Sequence, residues 1–274
     1  MQMMYHRLVL MRELLAETGT IYVHCDWRVG HHLKVLLDEI FGRDAFLSEI
    51  IWRFGAGARP STYFANKHNS ILFYRKGESH TFNVEDPIMH KPYSDSTLEM
   101  HFTNTDEQGR RYRVQRKGGK EYITYADEGQ LVDNVWTDIG AQRARSPIMP
   151  EYTGYPTQKP EKLLRRIIFS SSDPGDLVGD FFCGSGTTGA VAEKLGRRWI
   201  MSDLSRFAIQ TVRKRLLNLH TYSKDYDRPA RPFDILNMGN YQKHKFIENG
   251  YPPVERYIDF ILELYRAQRL EGFA

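Results

Sequence analysis

Apolar residues near the start of the chain recur at helical spacing. Leu8, Met11, Leu14 and Leu15 share one face, which predicts a helix over Met4–Glu17 stopped by Gly19. Thr20–Cys25 is a short apolar run rich in β-branched and aromatic residues and reads as a buried strand. A second helix follows, with Leu33, Leu36, Leu37 and Ile40 on one face and Gly42 at its end. Ser48–Phe54 and Ser70–Tyr74 read as two further strands around the glycine-containing loop GAGARPSTYFANKHN.

From Gly77 to about Pro150 the pattern changes. Short polar-aromatic segments replace long helical ones, with turn signals at Asp106-Glu107-Gln108-Gly109 and Gly118-Gly119, so this stretch reads as an inserted, partly β lobe. Regular alternation then resumes. It predicts a helix over Pro160–Phe169, a turn at 173–176, a strand over Leu177–Phe182 and a helix over Thr187–Leu195. A strand over Arg198–Ser202 and a helix over Arg206–Leu219 follow, and a tyrosine-rich tail carries a last helix over Val254–Tyr265. The alternation points to an α/β fold with a doubly wound or mixed sheet and helices on both faces.

Composition narrows the class only slightly. The 274 residues are 41% hydrophobic and 26% charged, ordinary for a globular chain that buries a core. The net charge of +4 permits a polyanionic partner without requiring one, since a solvated surface with a small lysine and arginine excess gives the same value. The two cysteines, Cys25 and Cys183, form neither a metal nor a redox spacing, which fits a reducing cytoplasm. No stretch approaches the ~20 apolar residues of a membrane span, and acids and arginines interrupt the N-terminus where a signal peptide needs an apolar core.

The densest chemistry lies in LVGDFFCGSGTTGAVAEKLGRRWIMSDLS. An apolar strand runs into Gly184-Ser185-Gly186 and directly into a helix. Glycines there let a ligand approach the backbone, and the helix N-terminus offers free N–H groups with a partial positive charge. A second strand ends in an acid, Asp203, placed to accept hydrogen bonds from ribose hydroxyls. The segment therefore suits an adenosine-bearing ligand. Gly184, Gly186 and Gly189 also satisfy the dinucleotide fingerprint, so an NAD-dependent dehydrogenase stays open, as does a tight strand-to-helix turn with no ligand. Asp180 and the Phe182-x-Gly184-x-Gly186 pattern favour a methionine-derived cofactor, whose ammonium group a carboxylate holds and a dinucleotide lacks.

With Tyr155-Pro156-Thr157-Gln158-Lys159-Pro160-Glu161 just before that strand, the chain resembles the DNA amino-methyltransferases of the adenine-N6 and cytosine-N4 class whose catalytic half precedes the cofactor half. The resemblance implies a Rossmann-like sheet and S-adenosyl-L-methionine as cofactor. It implies that Thr157, Gln158 and Lys159 approach the methionine end, beside Asp180, Phe182, Gly184, Gly186, Thr187 and Asp203. Pro160 with Glu161 is equally a plain helix start, and both readings hold together. Where the family has proline this chain has Phe181. The implied organisation is a catalytic half over 1–76, a target-recognition lobe over 77–150, a cofactor half over 151–219 and an extension over 220–274.

GTIYVHCDWR, LLDEIFG, SEIIWRF and FANKHNSILFYRK look like segments that follow the catalytic motif of that family, usually Asp-Pro-Pro-Tyr. The tetrapeptide is absent here. Pro252-Pro253 stands between Tyr251 and Val254 in the tail, so catalytic residues cannot be assigned. The expectation is a chain that begins after the motif: a shortened reading of the gene, a remnant that binds DNA without catalysis, or a split enzyme completed by an N-terminal fragment. His24, Asp26 and His68 read as structural or substrate-positioning groups, because attack on a sulfonium methyl needs no strong base. His31-His32 has no third ligand at metal spacing.

The implied partner is double-stranded DNA, with a restriction subunit or the complementing fragment as further candidates. In the lobe, GRRYRVQRKGGK carries Arg110, Arg111, Arg113, Arg116, Lys117 and Lys120 around a tyrosine, a composition suited to phosphate contact and base reading. A solvated hairpin explains the same residues, because Asp106, Glu107 and Glu121 offset their charge; the family's placement of its recognition region tips the reading to DNA. Strand alternation puts Arg111 and Arg113 on one face, and Arg59 and Lys67 in the glycine loop are further DNA candidates. Adenine is favoured over cytosine as target by resemblance to restriction-modification enzymes.

Overall fold

The computed structural model describes residues 2–55, 60–141, 150–221 and 226–237. Residues 1–230 form one compact unit, and 231–274 a second whose described part, 231–237, has no regular structure. In chain order the elements are α1 (Gln2–Leu14), β1 (Thr20–Cys25), α2 (Gly30–Phe41), β2 (Phe46–Arg53), β3 (His68–Arg75), β4 (His90–Lys91), α3 (Asp95–His101), β5 (Asn104–Thr105), β6 (Arg111–Lys117), β7 (Lys120–Tyr125), β8 (Gln130–Leu131), β9 (Val135–Trp136), α4 (Glu161–Ser170), β10 (Leu177–Asp180), α5 (Thr187–Lys194), β11 (Arg198–Met201) and α6 (Arg206–Leu217). The periodic segments thus fold as their spacing predicts. α1 ends three residues early because Ala16 to Gly19 closes a turn, with the Gly19 N–H donating to the Ala16 carbonyl at 2.8 Å. The tail helix expected over Val254–Tyr265 and the candidate Arg59 lie outside the described residues.

β1, β3, β2 and β9 form a four-stranded sheet, antiparallel except for the β2–β9 pair. α1 and α2 cover one face of it, burying Leu8, Leu33, Leu37 and Phe41 against Cys25, Leu72 and Tyr74. α4 covers the other, packing Leu163 onto Ile50, Trp52, Ile71, Phe73, Trp136 and Ile139. β10 and β11 form a separate parallel pair joined through α5. α4 also reaches this pair, since Ile168 packs with Val191, Ala192, Val178 and Trp199.

The segment 77–150 does not stand apart from the main body. β9 lies within it and adds a strand to the first sheet, where Ile51 pairs with Val135 and Trp52 with Trp136. The Trp52 indole N–H donates to the Ile139 carbonyl at 2.8 Å. A two-residue strand gives no alternation to read, which hides β9 in the sequence. Distal to it, β5, β6 and β7 form a three-stranded sheet whose turn at Gly118 and Gly119 has φ of 59° and 77°, accessible to glycine without strain.

The lobe is tied to α4 by charge. The Arg166 guanidinium, 1% exposed, makes bidentate hydrogen bonds to Asp138 at 3.0 and 2.6 Å, donates to the Ile88 carbonyl at 2.8 Å and lies over the Trp136 ring. Burial pushes the Asp138 carboxyl up, but Arg166 and Lys162 outweigh it and hold it down at about 2. Removing the carboxylate leaves Arg166 buried and unpaired. Asp138→Ala is expected to lower unfolding stability by about 3–5 kcal/mol in urea titration; Asp138→Asn, which keeps an acceptor, should lose less.

Candidate cofactor site

β10 ends where Asp180 turns the chain back: its Oδ1 accepts the Phe182 N–H at 3.0 Å. Gly184 and Gly186 then adopt φ of 49° and 71°. A Cβ on Gly186 would press on Val212 of α6, so two constraints select glycine there. A Cβ on Gly189, in the first turns of α5, would collide with the Met201 side chain, which is how this glycine lets α5 lie close on β11.

The predicted acids both hold this turn. Asp203 accepts the Gly184 N–H at 2.9 Å on one oxygen and the Ser205 N–H at 2.9 Å on the other. The second Asp180 oxygen accepts the Thr188 hydroxyl at 2.5 Å. Thr187 donates its hydroxyl to the Lys159 carbonyl at 3.1 Å, tying the Thr-Gln-Lys-Pro segment to the start of α5. Thr187, Gly184, Gly186, Asp180, Lys159 and Asp203 therefore converge on one turn. Lys159 is half-buried, which lowers its ammonium pKa, and its Nζ donates to the Thr157 carbonyl at 3.0 Å.

Gln158 has a different position. Its amide is buried and held by a preceding loop: Oε1 accepts from the Thr153 N–H at 2.8 Å and hydroxyl at 2.7 Å, and Nε2 donates to the Glu151 carbonyl at 2.8 Å. Thr157 and Phe182 are exposed beside the turn.

Behind the turn lies a network that spacing alone does not reveal. Arg215 of α6, 2% exposed, donates to the Ser185 carbonyl at 3.3 Å, to the Thr187 hydroxyl at 2.9 Å and to Glu161 at 2.9 Å. Glu161 also accepts Lys194 of α5 at 2.5 Å; burial would raise its carboxyl, but the two cations hold it low. Tyr155 packs against Gly184 and stacks on Phe207 with centroids 5.5 Å apart, forming an aromatic wall beside the turn. Tyr155 heads the Thr-Gln-Lys-Pro segment and Phe207 starts α6, and no spacing in the sequence pairs them.

His24, at the end of β1, is near this site. Its Nε2 lies 2.9 Å from the Asn69 amide nitrogen, so Nε2 accepts and the ring is neutral. Burial, then the Lys159 charge, lowers its pKa from 6.5 to about 3. Asp26 follows the strand and accepts the Arg28 N–H at 3.0 Å and guanidinium at 2.6 Å. Among the described residues no cluster of metal-ligating side chains occurs and no helix is long and apolar enough to cross a membrane.

The basic residues of the lobe divide into two sets. Arg110 pairs with Asp127 at 2.8 Å and lies over Tyr125. Arg111 and Arg113 do share a face, but it is turned onto α3 and its neighbour. Arg111 donates to the Phe102 and Leu98 carbonyls, and Arg113 lies over Phe102 and Tyr93. Arg116 pairs with Glu121 at 2.7 Å. Lys117 and Lys120 are exposed opposite each other at the hairpin tip, whereas Lys67, ahead of β3, is half-buried.

A family model described as DNA methylase (N6_N4_Mtase) matches residues 1–214. The chain belongs to this DNA methylase family. It is 31% identical over 296 residues to the type II methyltransferase M.EcaI of Enterobacter cloacae, covering 92% of this chain and 65% of that protein. It is 32% identical over 180 residues to the DNA adenine methyltransferase YhdJ of Escherichia coli (strain K12), covering 65% of this chain and 54% of the relative. The chain thus spans less than two thirds of the length of either. The PvuII cytosine-N4-specific DNA methyltransferase structure superposes with a TM-score of 0.52 at 17% identity, over 79% of this chain and 70% of that one, which establishes the shared fold. Membership in a methylase family removes the dehydrogenase alternative that the glycine spacing left open.

The His24 environment has a consequence for stability. Below pH 6.5 an unfolded histidine takes up a proton that the folded one refuses until about pH 3. Stability is therefore complete above 6.5 and falls as pH drops through that window. Urea midpoints measured from pH 7.5 to 5 should decline, and His24→Gln should flatten the decline; an unchanged slope would show that His24 is not buried in neutral form.

Proposed function

We propose that this chain is the cofactor-holding part of a DNA methyltransferase that transfers a methyl group from S-adenosyl-L-methionine to a base amino group of double-stranded DNA. The supporting observation is the convergence of Lys159, Asp180 and Asp203 on a turn whose Gly184 and Gly186 leave its backbone open to close approach. These residues fit such a molecule. Asp203 and Asp180 keep lone pairs that would accept from ribose hydroxyls and the amino-acid ammonium, and the Lys159 ammonium, which donates to the Thr157 carbonyl, would pair with its carboxylate. Tyr155 and Phe207 supply an aromatic wall for an adenine ring. When bound, the cofactor supplies an electrophilic methyl on a sulfonium. The task of this chain's residues is to orient it and keep its charge partly dehydrated.

Adenine is the proposed target and a restriction-modification system the proposed setting, with the cytoplasm as location. The relatives named as type II and adenine methyltransferases support the first two readings. In the lobe 77–150, proposed as the target-recognition part, Lys117 and Lys120 are the basic groups placed for phosphate contact, while Arg110, Arg111, Arg113 and Arg116 shape the hairpin. Lys67 and Arg59 remain proposed contacts.

Calorimetric titration of the isolated chain should show 1:1 binding of S-adenosyl-L-methionine. Asp203→Ala and Lys159→Met should each weaken it at least ~10-fold, the loss of one charge-assisted contact. Tight NADH binding with no methionine-cofactor binding would overturn the reading.

A further inference from the structure

The sheet of β5, β6 and β7 has an open side. Its order is β5–β6–β7, and among the described residues β7 pairs only with β6. The Ala126 N–H donates to the Arg111 carbonyl at 2.9 Å. Bonded and non-bonded positions alternate along an antiparallel pair, so Thr124, Tyr122 and Lys120 turn their backbone groups towards β6. Glu121, Ile123 and Tyr125 turn theirs outward. Edge strands are commonly blunted by proline, a bulge or charge. Between Tyr122 and Tyr125, β7 has none of these: its register against β6 is unbroken, and the run Tyr122-Ile123-Thr124-Tyr125 consists of strong strand formers.

Directly opposed residues share a face of the sheet. Arg113, opposite Thr124, lies over Tyr93 and Phe102 on the α3 side. Val114 with Ile123, Tyr112 with Tyr125 and Arg116 with Glu121 therefore line the other face. Val114 is 42% and Ile123 58% exposed, an apolar strip in the middle of that face. Charge is graded along the hairpin. Arg116, Lys117 and Lys120 outnumber Glu121 at the tip, whereas Asp106, Glu107, Asp127 and Glu128 outnumber Arg110 and Arg111 at the base. An antiparallel copy of the strand sets each tip against the other's base, so the edge is complementary to itself, as a two-fold contact requires.

We propose that β7 pairs with β7 of a second copy of this chain, antiparallel across a two-fold axis at Ile123, joining the two lobe sheets into one. In this register Ile123 opposes Ile123 of the second copy and Glu121 opposes Tyr125, so every outward residue of both strands gains hydrogen-bonding partners. A shift of one residue would oppose outward to inward groups. A shift of two would oppose Tyr125 to the turn at Gly119 in one direction, and Glu121 to Asp127 in the other. Val114 and Ile123 of the two copies then form one continuous apolar strip. Glu121 comes beside Tyr125 and the Arg110 that lies over it, and Lys120 comes beside Asp127. Lys117 lies on β6, off the shared edge. A hydrogen-bonded edge with a small apolar centre is a modest interface, so the dimer is reversible.

Sedimentation velocity of the full chain, from dilute to millimolar concentration, should show a reversible monomer–dimer equilibrium. Amide exchange read residue by residue carries the signature. As concentration rises, the Glu121, Ile123 and Tyr125 amides should slow at least ~10-fold, while Tyr122 and Thr124, already bonded to β6, hold steady. Ile123→Pro removes an outward N–H and leaves the β6 ladder intact, so it should keep the chain monomeric with an unchanged circular dichroism spectrum. Lys120→Glu, at an exposed position, should weaken the dimer at least ~5-fold in low salt. Both native thiols are buried, so Ile123→Cys should let a short bis-maleimide join two chains through the new thiol. A monomer at every concentration overturns the proposal. So does a dimer that tolerates Ile123→Pro or Lys120→Glu, or one whose protection falls on other elements.

Discussion

The buried cluster of Arg215, Glu161 and Lys194 is the interaction on which the glycine turn and the Thr-Gln-Lys-Pro segment depend. It joins α6, the first turn of α4 and the end of α5, and its guanidinium reaches the Ser185 carbonyl and the Thr187 hydroxyl from behind the glycine turn. Two cations and one carboxylate taken from water recover their desolvation cost only in good geometry, and loss of a single partner typically costs about 3–5 kcal/mol. What such a cluster provides is position. Thr187 in turn donates to the Lys159 carbonyl, so the segment carrying Lys159 is tied to the turn carrying Gly184 and Gly186.

The glycine turn was legible in the sequence because positive φ and close approach force Gly184 and Gly186, which leaves a residue-type signature. The helices α2 and α4 were legible because each buries an apolar face with a definite period, and β1 because its apolar run is short and β-branched. The split of the sheet into two hydrogen-bonded groups has no such signature, because it depends on what lies beside β1 and not on β1 itself.

The basic hairpin shows what composition leaves open. Arg111 and Arg113 fall on one face as strand alternation requires, but nothing in the alternation says which face meets solvent. α3 and the Tyr93–Phe102 pair decide it, and they lie in a segment without strong periodicity. Gln158 is similar: its position in the motif suggested a ligand contact, and its partners in the loop at 151–153 are invisible to spacing. His24 was read as a structural or positioning group, and its neutral, buried ring beside Asn69 and Trp52 fits that reading.

The central claim is that the turn after β10, Lys159 and Asp203 form one binding surface for a charged nucleoside. Amide exchange of the chain with and without saturating S-adenosyl-L-methionine tests it most directly. The account predicts protection concentrated in 157–160, 180–188 and 203–207, with the hairpin of β6 and β7 unaffected. Protection centred elsewhere, or none at these three segments despite binding, would contradict it.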